Sequence, residues 1–356
     1  MELPALTRVR VALSRPLVRL LMRRPALRRA LARSRAGAIE GHRLDEFLAA
    51  MLGLDDRSHD SELQGLSPSA ARQKVARSVA TVEGLLAPLE ANVAERSLGR
   101  GALIVRVYAP AGLEGAAPGL VFFHGGGFVT CDLDTHDSFC RRLAVLGRVR
   151  VFSVAYRLAP EHAFPAAVDD AVEAFRAIAA EAASFGVDAA RLGVGGDSAG
   201  GNLAAVVALR LRHEAQKPSL AVLLYPAVDA TCSMGSHVTM GERHYLTSAQ
   251  IDWYYRHYLG TDAARREHPD ASPLLADDVM GHAPALVYTA HFDPLRDEGV
   301  AYVARLRAAG ANARHRSFDT MLHGFLMMGG VSPAALEATE LVAREVGEAL
   351  RGGLKA

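Results

Sequence analysis

Residues 191–202 read RLGVGGDSAGGN, and this stretch organises the chain. A short apolar run (Leu192, Val194) meets Gly195, Gly196, Asp197, Ser198, Ala199, Gly200 and Gly201, and helix formers follow from Leu203 to Ala208. The pattern predicts a strand, a sharp turn with Ser198 at its apex, and a helix. Gly196-x-Ser198-x-Gly200 fits a nucleophile elbow, in which small neighbours let strand and helix crowd behind an exposed hydroxyl. Such a serine at a helix start also gains from the helix dipole, which favours negative charge there. Taken alone, the same pattern fits a glycine-rich turn with a capping serine, so the rest of the chain has to decide.

Beyond residue 102 the pattern alternates. Strands are expected at Leu103 to Val107, Gly119 to Phe123, Val149 to Tyr156, Leu192 to Gly195 and Leu220 to Tyr225, with helical stretches between them. The continuous apolar run GLVFF is the pattern of a strand buried on both faces. Strands alternating with helices imply an α/β fold with a mostly parallel central sheet covered on both faces. Such sheets place functional groups at the carboxyl ends of their strands. His124-Gly125-Gly126-Gly127-Phe128 follows one strand and Ser198 another. Acyl transfer needs preorganised N–H donors for an oxyanion, and a glycine run lets backbone amides approach a substrate. Gly125, Gly126, Gly127 and the amide of Ala199 are the expected donors.

Residues 229–283 interrupt the alternation without strand signals and read as a helical piece over the site. They hold Trp253, with Tyr254, Tyr255 and Tyr258 on one helical stretch; these rings either line an acyl pocket or form the core of the lid. An acid and a histidine should follow the serine, in that order. Asp293 stands at the end of the strand ALVYTA and precedes Pro294, which reads as a helix N-cap with proline at the first helical position. Asp297 and Glu298, inside that helix, are its rivals. Of the two later histidines, His315 lies in a strand-like stretch and His323 in a loop before Gly324, free to reach Ser198. The expected triad is therefore Ser198, Asp293 and His323.

The chain has 356 residues, 50% hydrophobic, with a formal net charge of +1. That size suits one large domain or a domain with a lid, and the balanced charge argues against a nucleic-acid binder. Three cysteines (Cys131, Cys140, Cys232) are too few for a disulfide framework and point to a reducing cytoplasm. Ten arginines and no acid lie between Arg8 and Arg35, interleaved with leucines. These arginines interrupt any secretory signal, and no apolar stretch is long enough to span a membrane. The arm reads either as a helix packing its leucines on its own domain or as a basic surface for an anionic membrane. Residues 41–98 read as helical, beginning with Leu44, Phe47, Leu48 and Met51 at i, i+3, i+4, i+7 spacing.

Together these segments resemble the hormone-sensitive-lipase-like family of α/β-hydrolase esterases. The likeness is carried by His124-Gly-Gly-Gly-Phe128, Asp132-Leu-Asp-Thr-His-Asp137, Tyr156-Arg-Leu-Ala-Pro-Glu-His162, Gly196-Asp-Ser-Ala-Gly-Gly-Asn202, Asp293-Pro-Leu-Arg-Asp-Glu298 and Leu322-His-Gly-Phe325. The resemblance implies a serine carboxylesterase without cofactor or metal, acting on short- to medium-chain esters. It also implies a catalytic domain over residues 99–356, and a cap built from residues 41–98 and the insertion at 229–283, with residues 1–40 as an added arm. Phe128, Trp253 and Phe325 are the expected substrate-binding residues. Cys131 departs from the family, standing where a glycine usually follows. Asp132, Asp134, His136 and Asp137 could be read as metal ligands, but a polar loop beside the glycine run fits them better. A lipase or amidase using the same triad, or a non-catalytic binder, are the alternatives. A homodimer would form through an edge strand of the sheet.

Overall fold

The computed structural model describes residues 11, 14–16, 18–20, 22–33, 37–58, 63–99 and 103–354. The expectations for Arg8, Arg10, Leu17, Leu21 and Arg35 lie outside these. One eight-stranded sheet forms the centre, and its strands are β1 (Asn92–Leu98), β2 (Leu103–Ala109), β3 (Ala117–Phe123), β4 (Arg150–Val154), β5 (Val187–Asp197), β6 (Ala221–Leu224), β7 (Ala285–Phe292) and β8 (Ala313–Leu322). Their spatial order is β1-β2-β4-β3-β5-β6-β7-β8. The two pairs that join β1 to β2 and β2 to β4 are antiparallel, and every pair from β4 to β8 is parallel.

The pleat distributes the core. In β3, Val121 and Phe123 face one apolar layer while Leu120 and Phe122 face the other. The helices before the sheet and within its first crossovers are α1 (Pro25–Ala32), α2 (Glu46–Ser58), α3 (Pro68–Glu83), α4 (Asp137–Gly147), α5 (Ala166–Ala180) and α6 (Ala199–Arg210). Between β6 and β7 lie α7 (Gly235–Thr239), α8 (Ser248–Leu259) and α9 (Ala264–Glu267), so the insertion is helical as expected. α10 (Arg296–Ala308) follows β7 and α11 (Pro333–Gly352) closes the chain. Phe175 of α5, Leu203 of α6 and Leu306 of α10 pack on the Val121 side, while Leu143 of α4 and Val346 of α11 pack on the Phe122 side.

Residues 41–98 are not helical throughout, because Asn92–Leu98 is the strand β1. It is exposed along nearly its whole length. An edge strand of this kind has no buried face, so its sequence lacks the apolar alternation that would announce it. The helix α2 runs to Ser58.

The N-terminal helices are tied to the core through named donors. The Arg72 guanidinium of α3 forks onto Glu161, at 2.6 and 2.9 Å, and donates to the carbonyls of Val129 and Ala159 at 2.8 Å each. Glu161 is held down to about 2 by that bond. Arg15 donates to the Ala80 carbonyl at 2.8 Å, which lays the arm along α3.

α4 and α11 touch through two glycines. A Cβ on Gly347 would fall 2.6 Å from the Gly147 carbonyl carbon, where only backbone could yield. Gly347→Ala is therefore expected to lower stability by about 1–3 kcal/mol, read as an earlier denaturant midpoint at unchanged slope. A midpoint equal to wild type would show that the two helices separate without cost.

Candidate active site

Four strand ends supply the site. Ser198 follows β5, Asp293 follows β7, His323 follows β8, and the glycine run follows β3. Because these strands are parallel and adjacent or nearly so, their carboxyl ends lie along one rim of the sheet. Residues as far apart as Ser198 and His323, 125 positions, thus converge.

Ser198 has φ +54° and ψ −118°, a conformation that few side chains adopt. It is held from all sides. Its N–H donates to the Leu224 carbonyl at 2.8 Å, and its own carbonyl accepts from Asn202 and Ala227 N–H at 3.0 and 3.2 Å. The turn is tight enough to need glycine at 200, since a Cβ there would lie 2.5 Å from the Phe123 carbonyl carbon. The Asn202 side chain donates to the carbonyls of Ala227 and Ala271 at 2.8 Å, tying the elbow to the inserted helices.

The hydroxyl meets the expected histidine. His323 Nε2 lies 3.0 Å from Ser198 Oγ, and His323 Nδ1 lies 2.8 Å from Asp293 Oδ2. A carboxylate only accepts, so Nδ1 carries the proton and Nε2 presents its lone pair to the serine. Asp293 is fully buried, and its Oδ1 accepts from Leu295 N–H at 2.8 Å. It does not cap the helix directly as expected: α10 begins at Arg296, and Leu295 occupies the cap position. One short turn intervenes, which leaves Oδ2 free for the histidine. The rivals are engaged elsewhere, Glu298 with His237 and Asp297 with Ser236 N–H. His315 bonds Thr289 in the sheet.

The expected donors divide. Gly126, Gly127, Ser198, Ala199 and His323 border one cavity of about 700 Å³. Among the described residues, the amides of Gly126, Gly127 and Ala199 donate to no protein acceptor. Gly125 differs from the expectation, because its N–H donates to Asp197 Oδ1 at 2.8 Å and it does not border the cavity. That bond ties the loop to the residue before Ser198. The loop's carbonyls are turned away as well: the Gly125 carbonyl receives His124 Nδ1 at 2.7 Å, and the Gly126 carbonyl receives Thr130 N–H at 2.8 Å. Burial, with His136 nearby, lowers His124 to about 4, so it donates as a neutral ring.

The expected substrate residues also divide. Phe128 lines the cavity at φ +63° and stacks on Tyr258 at 3.8 Å. Trp253 does not reach it; its ring packs edge-on against Tyr254 and His257 in the core beneath. On α8 the cavity is met instead by Gln250 and by Ile251, Tyr254 and Tyr255, the last three at i, i+3, i+4 spacing. That spacing was the available signal, since Trp253 falls on the opposite side of such a stripe. Phe325 is fully buried behind the site, edge-on to Tyr225, whose ring lies 4.8 Å from His323. Cys131 lines the cavity, with its thiol pushed up to about 12 by burial, so it adds bulk and not a thiolate. Val18 and Met22 of the arm and Met327 complete the apolar wall.

The acidic loop does not gather a metal set. Asp132 Oδ1 accepts from the N–H groups of Asp134 and Thr135, Asp134 pairs with Arg106, and Asp137 takes Tyr108 and Arg141. Among the described residues, no three His, Cys, Asp or Glu side chains converge.

The model of the alpha/beta hydrolase fold matches residues 120–327. The carboxylic ester hydrolase LipN of Mycobacterium tuberculosis is 41% identical, over 86% of this chain and 84% of its own. The ethyl acetate hydrolase of Pseudomonas putida is 40% identical, over 67% of this chain and 76% of its own. Among solved structures, an ester hydrolase from the Lake Arreo metagenome superposes with a TM-score of 0.80 at 40% identity, covering 85% of this chain and 98% of that one. The esterase of Pyrobaculum calidifontis gives 0.78 at 35% identity, covering 86% and 98%. With an elbow serine, a histidine and a buried aspartate at the ends of β5, β8 and β7, the chain belongs to the α/β-hydrolase fold family, among its hormone-sensitive-lipase-like carboxylic ester hydrolases.

Proposed function

We propose that hydrolysis runs through an acyl-enzyme on Ser198, with His323 as base and Asp293 as its orienter. The 3.0 Å approach of His323 Nε2 to Ser198 Oγ carries this reading. The imidazole takes the hydroxyl proton as oxygen attacks the ester carbonyl, and then returns it to the departing alcohol. Asp293 stabilises the imidazolium formed between those steps. The amides of Gly126, Gly127 and Ala199 receive the tetrahedral oxyanion, and each such donor contributes about 100- to 1,000-fold to turnover. Water activated by the same histidine releases the acid.

The wall supports a substrate class. A cavity of about 700 Å³ bordered by Phe128, Tyr254, Met327, Val18 and Met22 suits short- to medium-chain acyl groups. On p-nitrophenyl esters from acetate to palmitate, kcat/KM is expected to peak at or below the middle of the series. Ser198→Ala should lose at least about 10⁴-fold in kcat on every ester. A peak at palmitate would identify a lipase, and an active Ser198→Ala would remove the triad from the reaction.

A second reading concerns the arm. We propose that it docks on anionic lipid, because Leu20 and Leu27 are 50% and 38% exposed beside the exposed Arg23, Arg24 and Arg29. Exposed leucines among arginines fit the boundary between headgroups and acyl chains. No described helix is long and apolar enough to cross a membrane. Sedimentation with phosphatidylglycerol vesicles, but not with phosphatidylcholine, is the expected result, reduced in Leu20→Glu/Leu27→Glu. Equal recovery in the supernatant with both lipids would overturn it.

A further inference from the structure

The acidic loop after the glycine run has so far no task in the reaction, yet its histidine points at the residue beside the nucleophile. His136 Nε2 lies 3.1 Å from Asp197 Oδ1, and the two side chains are 1% and 2% exposed. The same carboxylate oxygen accepts the Gly125 N–H at 2.8 Å, and Tyr225 OH approaches Oδ2 at 3.4 Å. Asp197 is therefore a carboxylate closed off from water, joined on one side to the nucleophile and on the other to the oxyanion loop.

The histidine has an oxygen neighbour at each ring nitrogen. Thr135 Oγ1 gives its single proton to the Asp132 carbonyl at 2.7 Å, and it lies 3.1 Å from His136 Nδ1. With its proton on that carbonyl, the hydroxyl, which also accepts from Asp132 N–H at 2.9 Å, offers a lone pair to Nδ1–H. Nε2 faces a carboxylate, which also only accepts. Each ring nitrogen of His136 thus has an oxygen within reach. Its other neighbours include the neutral His124 ring at 5.5 Å, Phe122 at 6.2 Å and the buried Glu83 carboxyl. Burial by itself would raise the Asp197 carboxyl; His136 and the Gly125 amide outweigh it and hold the group below the ordinary carboxylate value.

A bare carboxylate next to the nucleophile would oppose the oxyanion that forms on the acyl carbon, and in a dry site that repulsion is poorly screened. Removing Asp197 would instead release the glycine loop. We propose that His136 is a positioning residue for the reaction: its imidazolium neutralises Asp197, so the carboxylate can hold Gly125, and through it the Gly126 and Gly127 amides, without opposing the oxyanion. The inference rests on the proposed acyl-enzyme mechanism.

The test is steady-state hydrolysis of p-nitrophenyl butyrate by His136→Gln, Asp197→Asn and the double variant, with folding checked by circular dichroism. His136→Gln keeps a donor but leaves the carboxylate uncompensated, so kcat should fall about 10- to 100-fold with KM changed by less than about threefold. The reversible hemiketal formed with an aryl trifluoromethyl ketone should weaken in parallel. The double variant replaces the ion pair by a neutral one and should recover most of that loss, a coupling that a packing role alone would not produce. An unchanged kcat in His136→Gln, a loss confined to KM, or a double variant no better than the single would overturn the proposal. Should His136→Gln fail to fold, Asp197→Asn and Asp197→Ala decide. The asparagine still accepts from Gly125 and should keep at least about tenfold more kcat than the alanine; equal activities would refute the anchoring. Retained activity in Ser198→Ala would instead strike the underlying mechanism, so the two failures are distinguishable.

Discussion

Everything in this molecule leans on the backbone of Ser198. A φ of +54° with ψ −118° costs a non-glycine residue of the order of 1–3 kcal/mol and persists only where its surroundings leave no alternative. Here β5 delivers the chain from below, α6 carries it away, and the Phe123 and His124 carbonyls of the neighbouring strand end close off the space beside Gly200. The strain lifts the hydroxyl above the sheet edge, to where a histidine arriving from β8 can reach it. A relaxed turn would bury the oxygen in the strand-helix junction.

From that fixed point the remaining groups are positioned by parallel topology. β3, β5, β7 and β8 end on the same rim, so each contributes one short loop to the site and none has to be long. Every loop is then secured by a partner from elsewhere: Asp293 by Leu295 N–H, the glycine loop by Asp197 and Thr130, the elbow by Leu224 and Asn202. The helices laid over the rim, α8 from the insertion and the arm with α3 from the N-terminus, supply the cavity wall, apolar on the arm and mixed on α3, where Lys74, Arg77, Ser78 and Thr81 join Val75 and Val82. That division of labour places rigid polar groups on the sheet and leaves shape to the elements above it.

The polar machinery was largely legible in the sequence because it depends on local patterns. Ser198 between glycines, Asp293 after an apolar strand and His323 before Gly324 each announce a strand end by their own neighbours. What escaped depends on contacts between distant segments. Gly125 reads like Gly126 and Gly127, and only the arrival of Asp197 commits its amide to another partner. Trp253 draws attention by its size, but the helical phase of α8 turns Tyr254 and Tyr255 to the cavity instead. β1 was hidden because an exposed edge strand carries no buried face to pattern it. Leu295, not Asp293, caps α10, since the proline and the leucine that follow the aspartate form a turn before the helix begins.

The central claim is that one particular oxygen becomes acylated. Quenching the reaction with a p-nitrophenyl ester in its first turnovers, followed by peptide mass analysis, tests this most directly. The added acyl mass should map to Ser198 in wild type and accumulate on no residue in His323→Ala. An adduct on Cys131 or any other side chain, or turnover with Ser198 never modified, would contradict the mechanism.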